Sequence, residues 1–439
     1  MMHRFVSPAL LCGLLLCLSA CSEPTGVGAN LGGSQFEEGT PKAFVELPST
    51  LESVSSAART GIDTPPPTTP GVTNRSWRFL TGIVDDPLTG VVEAEAYVDF
   101  LGAAVRDSAL RNAELDSLNA QLRFPTTYRH GDTTSTLNVQ LFDLTAEADM
   151  DRVPADTPAT AFPAEMTEIA SYTVSPNDSL VTFDLPQDWI AKHQEALQDT
   201  AEFGDDLNGL KLTTSSGAAV VGFDHGNATL RLTTSSDTVN FATLKSFTRI
   251  ERRGSPEVAL NDWALLQDGV GSSLKFAWDF DRPLFTDTLA NSKLNNSDVV
   301  IPVDTAKMTE SLSRRQNFVR PAIKGYRVLA TRTDSTRPCN ELGLPQLPRD
   351  SETCLLPTAS GTAPGEVRLS SPTANTIFER TIAGNPPFAS FRLQIADRET
   401  VGTQNTVQRG LPSTLPALVK VSNAPEEDRP RATIVATPY

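Results

Sequence analysis

The side chains that could do chemistry are few. Three histidines follow the first twenty residues: His130, His193 and His225. None has a metal-ligand neighbour at helical or hairpin spacing, and no H-E-x-x-H, C-x-x-C, G-x-S-x-G or P-loop pattern occurs. His225 stands in Asp224-His225-Gly226-Asn227, residues that favour a turn. A triad could still gather around it, because triads assemble in space and not along the sequence. Glu147, Asp149 and Asp151 place carboxylates at alternate positions, hard oxygen donors of the kind calcium takes. Neither frame starting at Glu147 or Asp149 supplies the Gly and Glu of an EF-hand loop, and a solvated acidic loop is the plainer reading. Paired carboxylates could serve sugar hydrolysis, but 53 acidic residues offer no means of choosing two. None of these patterns calls for a cofactor.

The stretch Ala94-Glu95-Ala96-Tyr97-Val98-Asp99-Phe100 alternates as a half-buried strand. Its core face takes Ala94, Ala96, Val98 and Phe100, which turns Tyr97 outward between Glu95 and Asp99. A flat ring beside hydrogen-bond acceptors is what a sugar needs, so Tyr97, Glu95 and Asp99 are the expected ligand platform. The alternative is that Tyr97 is only a good strand former on an exposed face. Trp278 alternates with Leu274, Phe276 and Phe280 and is expected inside.

The N-terminus has its own chemistry. His3 and Arg4 precede an apolar run, Ala9 to Leu18, too short to span a bilayer as a stable helix. Small residues then lead to a cysteine, the layout of an export signal. Leu18-Ser19-Ala20-Cys21 resembles the lipobox of bacterial lipoproteins. That resemblance implies a signal peptide over 1–20 and acylation of Cys21, with the membrane as a partner through several acyl chains, which hold where one does not. Ser22 rather than Asp after the cysteine implies sorting to the outer membrane, facing periplasm or cell surface. Cys12 and Cys17 leave with the signal. Cys339 and Cys354 remain, in an oxidising compartment, and are expected to pair; two unpaired buried thiols are the alternative. A bridge across that proline-bearing loop stabilises by about 3 kcal/mol if unstrained.

These residues need elements to position them. Hydrophobic residues make up 39% and charged residues 21% of 439, which suits folded domains. Net charge is −16, so a phosphate backbone would be repelled, and no basic stripe suggests nucleic acid. Nine lysines against 28 arginines make the surface lysine-poor. Residues 21–73 read as a lipidated N-terminus and Pro/Thr/Gly-rich tether, with Phe44-Val45-Glu46-Leu47 expected to add an edge strand to the first sandwich. From Trp77 the periodicity is two: Leu118 to Phe124, Leu137 to Leu141 and Leu180 to Leu185, then Leu274 to Phe280, Val299 to Val303, Tyr326 to Thr331 and Ala417 to Val421. One helix, Gln187 to Leu197, carries Trp189, Ile190, His193, Ala196 and Leu197 on one stripe, and Met308 with Leu312 marks a second, short one. Leu210 to Ser216 and Leu230 to Ser236 are near-copies, read as strands of one sheet. The fold class is therefore all-β, with two tandem jelly-roll or β-sandwich domains over 74–255 and 256–425, then a C-terminal segment 426–439.

The order of elements in the first half, with Leu137 to Phe142, the helix at Trp189 and Asn208-Gly209-Leu210-Lys211-Leu212, resembles the DNRLRE-type sandwich, a jelly roll related to carbohydrate-binding domains. Gly217 to Leu232 followed by Leu266-Gln267-Asp268-Gly269-Val270-Gly271 is similar to a family of bacterial outer-membrane lipoproteins with two such sandwiches. The Cys339–Cys354 loop departs from that family's pattern, and the family supplies no catalytic residues. The resemblance implies a non-enzymatic lipid-anchored envelope protein that binds a glycan or an envelope partner. A polysaccharide-active hydrolase or lyase would instead show a cleft holding two carboxylates. A third reading is a structural component of an adhesion or secretion system.

Overall fold

The period-two runs form strands, and the protein is all-β, with several antiparallel sheets and few helices. A computed structural model describes residues 40–54, 58–60, 78–102, 108–146, 159–199, 203–270, 272–334, 339, 344, 346–347, 350–358, 365–395, 398–401, 407–410, 413–422 and 424–439. The signal, Cys21, and Glu147, Asp149 and Asp151 lie outside the described residues.

The strands come in chain order. First are β1 Lys42–Glu46, β2 Thr50–Val54 and β3 Ala58–Thr60. Next are β4 Arg78–Asp86, β5 Gly90–Phe100, β6 Asn119–Asp132 and β7 Leu137–Asp143. Then follow β8 Ala170–Val174, β9 Leu180–Leu185, β10 Leu210–Ser216, β11 Ala219–Asp224, β12 Thr229–Thr233 and β13 Thr238–Arg253.

Two long strands shape the first half. β6 pairs with β9 and β12 along its first residues and with β11 beyond Thr126. β13 pairs with β12 at its start and with β5 from Thr243 onward. Each slips register at its middle, β6 near Thr126 just past Pro125, and β13 between Thr243 and Lys245. An extra residue bends a strand and lets it pass from one sheet into another. The inner faces enclose Phe79, Leu122, Phe124, Phe183, Trp189, Phe223 and Phe241. The near-copies β10 and β12 belong to one continuous sheet but are not neighbours: β10 lies between β5 and β7, and β12 between β6 and β13.

The second half contributes β14 Trp263–Gln267, β15 Ser273–Ala277, β16 Ser292–Pro302, β17 Phe318–Val319 and β18 Tyr326–Arg332. It continues with β19 Gln346–Leu347, β20 Asp350–Leu356, β21 Glu366–Arg368 and β22 Phe388–Ile395. Last are β23 Arg398–Val401, β24 Val407–Gly410, β25 Pro416–Lys420 and β26 Arg431–Pro438. One sheet runs β1-β26-β16-β21 and another β19-β20-β18-β22-β15-β2. Their shared core holds Phe276, Trp278, Phe285, Phe378, Phe391 and Ile434. Trp278 is inside, as its alternation requires, and Cys339 is bonded to Cys354 within this core.

Four features depart from the expectation. The strand around Phe44 does not extend the first sandwich: β1 pairs with β26, Phe44 opposite Ile434, and Phe44 packs on the second core. β2 pairs with β15, and β3 pairs with β13 of the first half. The expected tether is thus partly an arm laid across both halves. The C-terminal segment is no appendage, because β26 lies between β1 and β16 with Ala432, Ile434 and Ala436 buried. The expected helix is two, Gln187–Lys192 and Gln194–Gln198, broken at His193, though its buried stripe stands. A helix not foreseen, Ser371–Ile382, buries Ala374, Ile377 and Phe378 in the second core. The short helix at Met308 is present as Thr305–Glu310, where Asp304 accepts from the Lys307 N–H at its N-cap.

The arm and the last strand predict a contrast. Ile434→Ala empties a fully buried position and should lower the unfolding free energy by about 2–5 kcal/mol in urea titrations. Val45→Ala, on the exposed side of β1, should change it by no more than about 0.5 kcal/mol.

Candidate functional site

Tyr97 is not a platform. Alternation does turn it away from Ala96 and Val98, but the face it reaches is covered, and the residue is fully buried. Phe247, its register partner on β13, stacks on it with ring centroids 4.5 Å apart and planes 3° apart. Phe162 closes the other approach at 5.0 Å. The Tyr97 hydroxyl donates to Glu95 Oε2 at 3.3 Å, and burial together with the Glu95 charge pushes it well above the usual phenol range. Glu95 is paired with Lys211 and Arg249, and Asp99 Oδ1 accepts the Phe100 N–H. The platform fails because Phe162 comes from a segment whose return over this face no local pattern announces.

His130, His193 and His225, the histidines among the described residues, are all buried. His225 caps the β11–β12 turn, where Asp224 accepts from Gly226 and Asn227, and its Nδ1 meets Ser246 Oγ at 2.9 Å. His193 Nε2 meets Asp143 Oδ2 at 3.1 Å, and Asp143 also accepts from Trp189 Nε1 and Lys192 Nζ. Burial opposes the Asp143 charge, but the hydrogen bonds of His193, Lys192 and Trp189 outweigh it and hold the carboxyl below its usual range. This cluster pins the broken helix to the end of β7.

His130 has the more suggestive company. Its Nε2 is 2.9 Å from Asp86 Oδ2, and its Nδ1 is 2.7 Å from Thr414 Oγ1. Carboxylate, imidazole and hydroxyl in that order form the geometry of a nucleophilic triad. Asp86, His130 and Thr414 are all fully enclosed, and Thr414 Oγ1 also touches the Tyr128 hydroxyl at 3.1 Å. A nucleophile so placed meets no substrate, so the group acts as a latch. Its ends belong to different halves: Asp86, Tyr128 and His130 to the first, Thr414 and Arg320 to the second. Arg320 grips Asp86 with Nε to Oδ2 at 2.9 Å and Nη2 to Oδ1 at 2.7 Å, and Nη1 donates to the Met308 carbonyl. Burial opposes the Asp86 charge, and His130 with Arg320 more than reverse this, holding the carboxyl far below the usual carboxylate range. Around the latch, Leu80, Val84, Val92, Val220 and Ile250 of the first half meet Val270 and Leu415 of the second. Gly269 shows how close the approach is: a Cβ there would lie 2.1 Å from Ile250 Cδ1.

On the outer side of the latch lies a cleft of about 280 Å³. The first half supplies Asp85, Asp132 and Ala218, the neighbours in sequence of latch strands; the second supplies residues 314–318. This second wall is a strap bound to β6. β17 pairs Phe318 with Asp132, and the Asn317 carbonyl accepts from the Thr133 N–H and hydroxyl. Arg315 pairs with Asp85 and Glu257. Asp132 accepts from the Thr134 hydroxyl and N–H, which hold its carboxyl below the usual range. Arg314, Gln316 and the Asn317 side-chain amide form no bond with other described residues. Sequence reasoning did not find this cleft, although Arg314-Arg315-Gln316-Asn317-Phe318 is the one polar run there with an aromatic at its end. Among the described residues no cluster of His, Cys, Asp or Glu could hold a metal ion.

No family model matches this chain, and no curated protein is significantly similar to it.

The latch makes stability depend on acid. Asp86 and Asp143 have folded carboxyls held below their ordinary value of 3.8, so their contribution is fully present above that value and is lost progressively as pH falls from it toward the lower folded value. Asp86→Asn leaves Arg320 buried without its charge partner and should cost about 3–5 kcal/mol near pH 7. The gap between variant and wild type should narrow below about pH 4 in urea titrations at a series of pH values.

Proposed function

We propose that this protein is a lipid-anchored, non-enzymatic protein of the outer membrane that binds a glycan in the cleft between its halves. The observation that carries this reading is the set of unspent side chains there. Arg314, Gln316 and the Asn317 amide line the hollow beside Phe318 and form no bond with other described residues. Sugars are recognised by an aromatic surface together with planar amide and guanidinium groups that take their hydroxyls. The Leu18-Ser19-Ala20-Cys21 motif supports the anchor.

The cleft does hold two carboxylates, Asp85 and Asp132, which favours weighing hydrolysis. A glycosidase needs one carboxyl kept protonated near neutral pH. Thr134 drives Asp132 the opposite way, and Asp85 is engaged by Arg315. Binding is the reading these environments support.

Gln316→Ala should weaken retention on immobilised glycan several-fold in affinity electrophoresis while leaving the melting temperature nearly unchanged, since the side chain is exposed. Wild type should release no reducing ends from a glycan it retains; release would turn the reading toward a hydrolase. Failure to retain any member of a glycan array would leave a structural place in an envelope assembly. Metabolic palmitate labelling should mark the wild type and not Cys21→Ala.

A further inference from the structure

Resting on the glycan reading of the cleft, we infer that the ligand is an acidic saccharide whose carboxylate is received by Arg314. The acids around the cleft are already matched. Asp85 and Glu257 are paired with Arg315, and the Asp132 carboxylate accepts from Thr134, with the Arg129 charge nearby. The other arginines are spent too. Arg320 closes on Asp86, and Arg129 donates to the carbonyls of Asp132 and Ser135. Arg314 alone among these charged groups forms no bond with a described residue, and it is exposed at the cleft.

A guanidinium presents a rigid fork that a carboxylate meets with two parallel hydrogen bonds. A neutral sugar would use that fork less fully, and a cationic one would be repelled by it. The chain carries −16 overall, so an anionic ligand is not drawn in from a distance and has to be held by a fixed local cation. Gln316, Asn317 and Phe318 then remain for hydroxyls and the ring. A hollow of about 280 Å³ is at the small end for ligand sites and suits one or two sugar units rather than a long chain.

The test uses the mature chain and a panel of uronic-acid and sialic-acid oligosaccharides, each beside its own methyl ester, followed by titration calorimetry. The esters keep the ring and lose the charge. An acid form should bind at least about tenfold more tightly than its ester, in keeping with a charge-assisted hydrogen bond. Arg314→Gln should abolish that discrimination, and Arg314→Lys should restore part of it, because lysine keeps the charge without the fork. Melting curves check that both variants are folded. Equal binding of acids and esters would overturn the acidic ligand and leave the glycan reading standing. Acid-selective binding that Arg314→Gln does not alter would remove Arg314 from the site. Binding of no saccharide, charged or neutral, would take down the glycan reading and this inference together.

Discussion

Asp86 is fully enclosed, and an enclosed carboxylate is tolerable only when its charge is met. The cation that meets it, Arg320, lies 234 residues further along the chain. Neither half can therefore bury its share of the contact alone. Such a pair adds little net stability over well-packed apolar groups, but it strongly penalises any docking that leaves the carboxylate unmatched. The apolar surfaces beside it, Leu80, Val84 and Ile250 against Val270 and Leu415, supply the attraction. The polar latch supplies the alignment between the two halves.

The cleft follows from that alignment. Its walls are adjacent in sequence to the latch: Asp85 beside Asp86, Asp132 close after His130, and Phe318 just before Arg320. On a strand, neighbours point to opposite sides. The same backbone that sends Asp86 inward thus sends Asp85 toward the hollow. Phe318 marks the join, since its ring stands edge-on to His130 at 5.5 Å and also lines the cleft.

Much of this fold was legible because alternation is a local signal. Leu118, Ala120, Leu122 and Phe124 are buried as their spacing requires, and so are Leu274, Phe276 and Trp278. The bond between Cys339 and Cys354 was legible by elimination. What stayed hidden depends on pairing between distant segments. Alternation puts Tyr97 on the correct face of its strand, but nothing near it in sequence reveals that Phe162 and Phe247 cover that face. The alternation at Phe44 specifies a strand but not its sheet, because five residues do not say which edge accepts them. The helix at 371–382 did carry a signal, with Ser370 and Pro372 at its start and Ala374, Ile377, Phe378 and Thr381 at helical spacing. The cleft carried none beyond a polar run, since Asp85, Asp132 and Ala218 lie far along the chain from residues 314–318.

The pairing of β1 with β26 has a consequence for how the chain comes into being. One sheet of the second half joins residues from near the start of the sequence to its final strand. Residues 42–46 and 432–436 are far apart along the chain, and such non-local sheets form slowly. Domain-by-domain maturation during synthesis, usual for tandem modules, is closed to the second half until residue 438 has emerged. Until then the arm has no strand to join, and the slot between β1 and β16 stands open. Without β26, Phe44 and Ile434 have no contact across this sheet, so a chain interrupted before residue 431 would leave β1 and β16 unjoined.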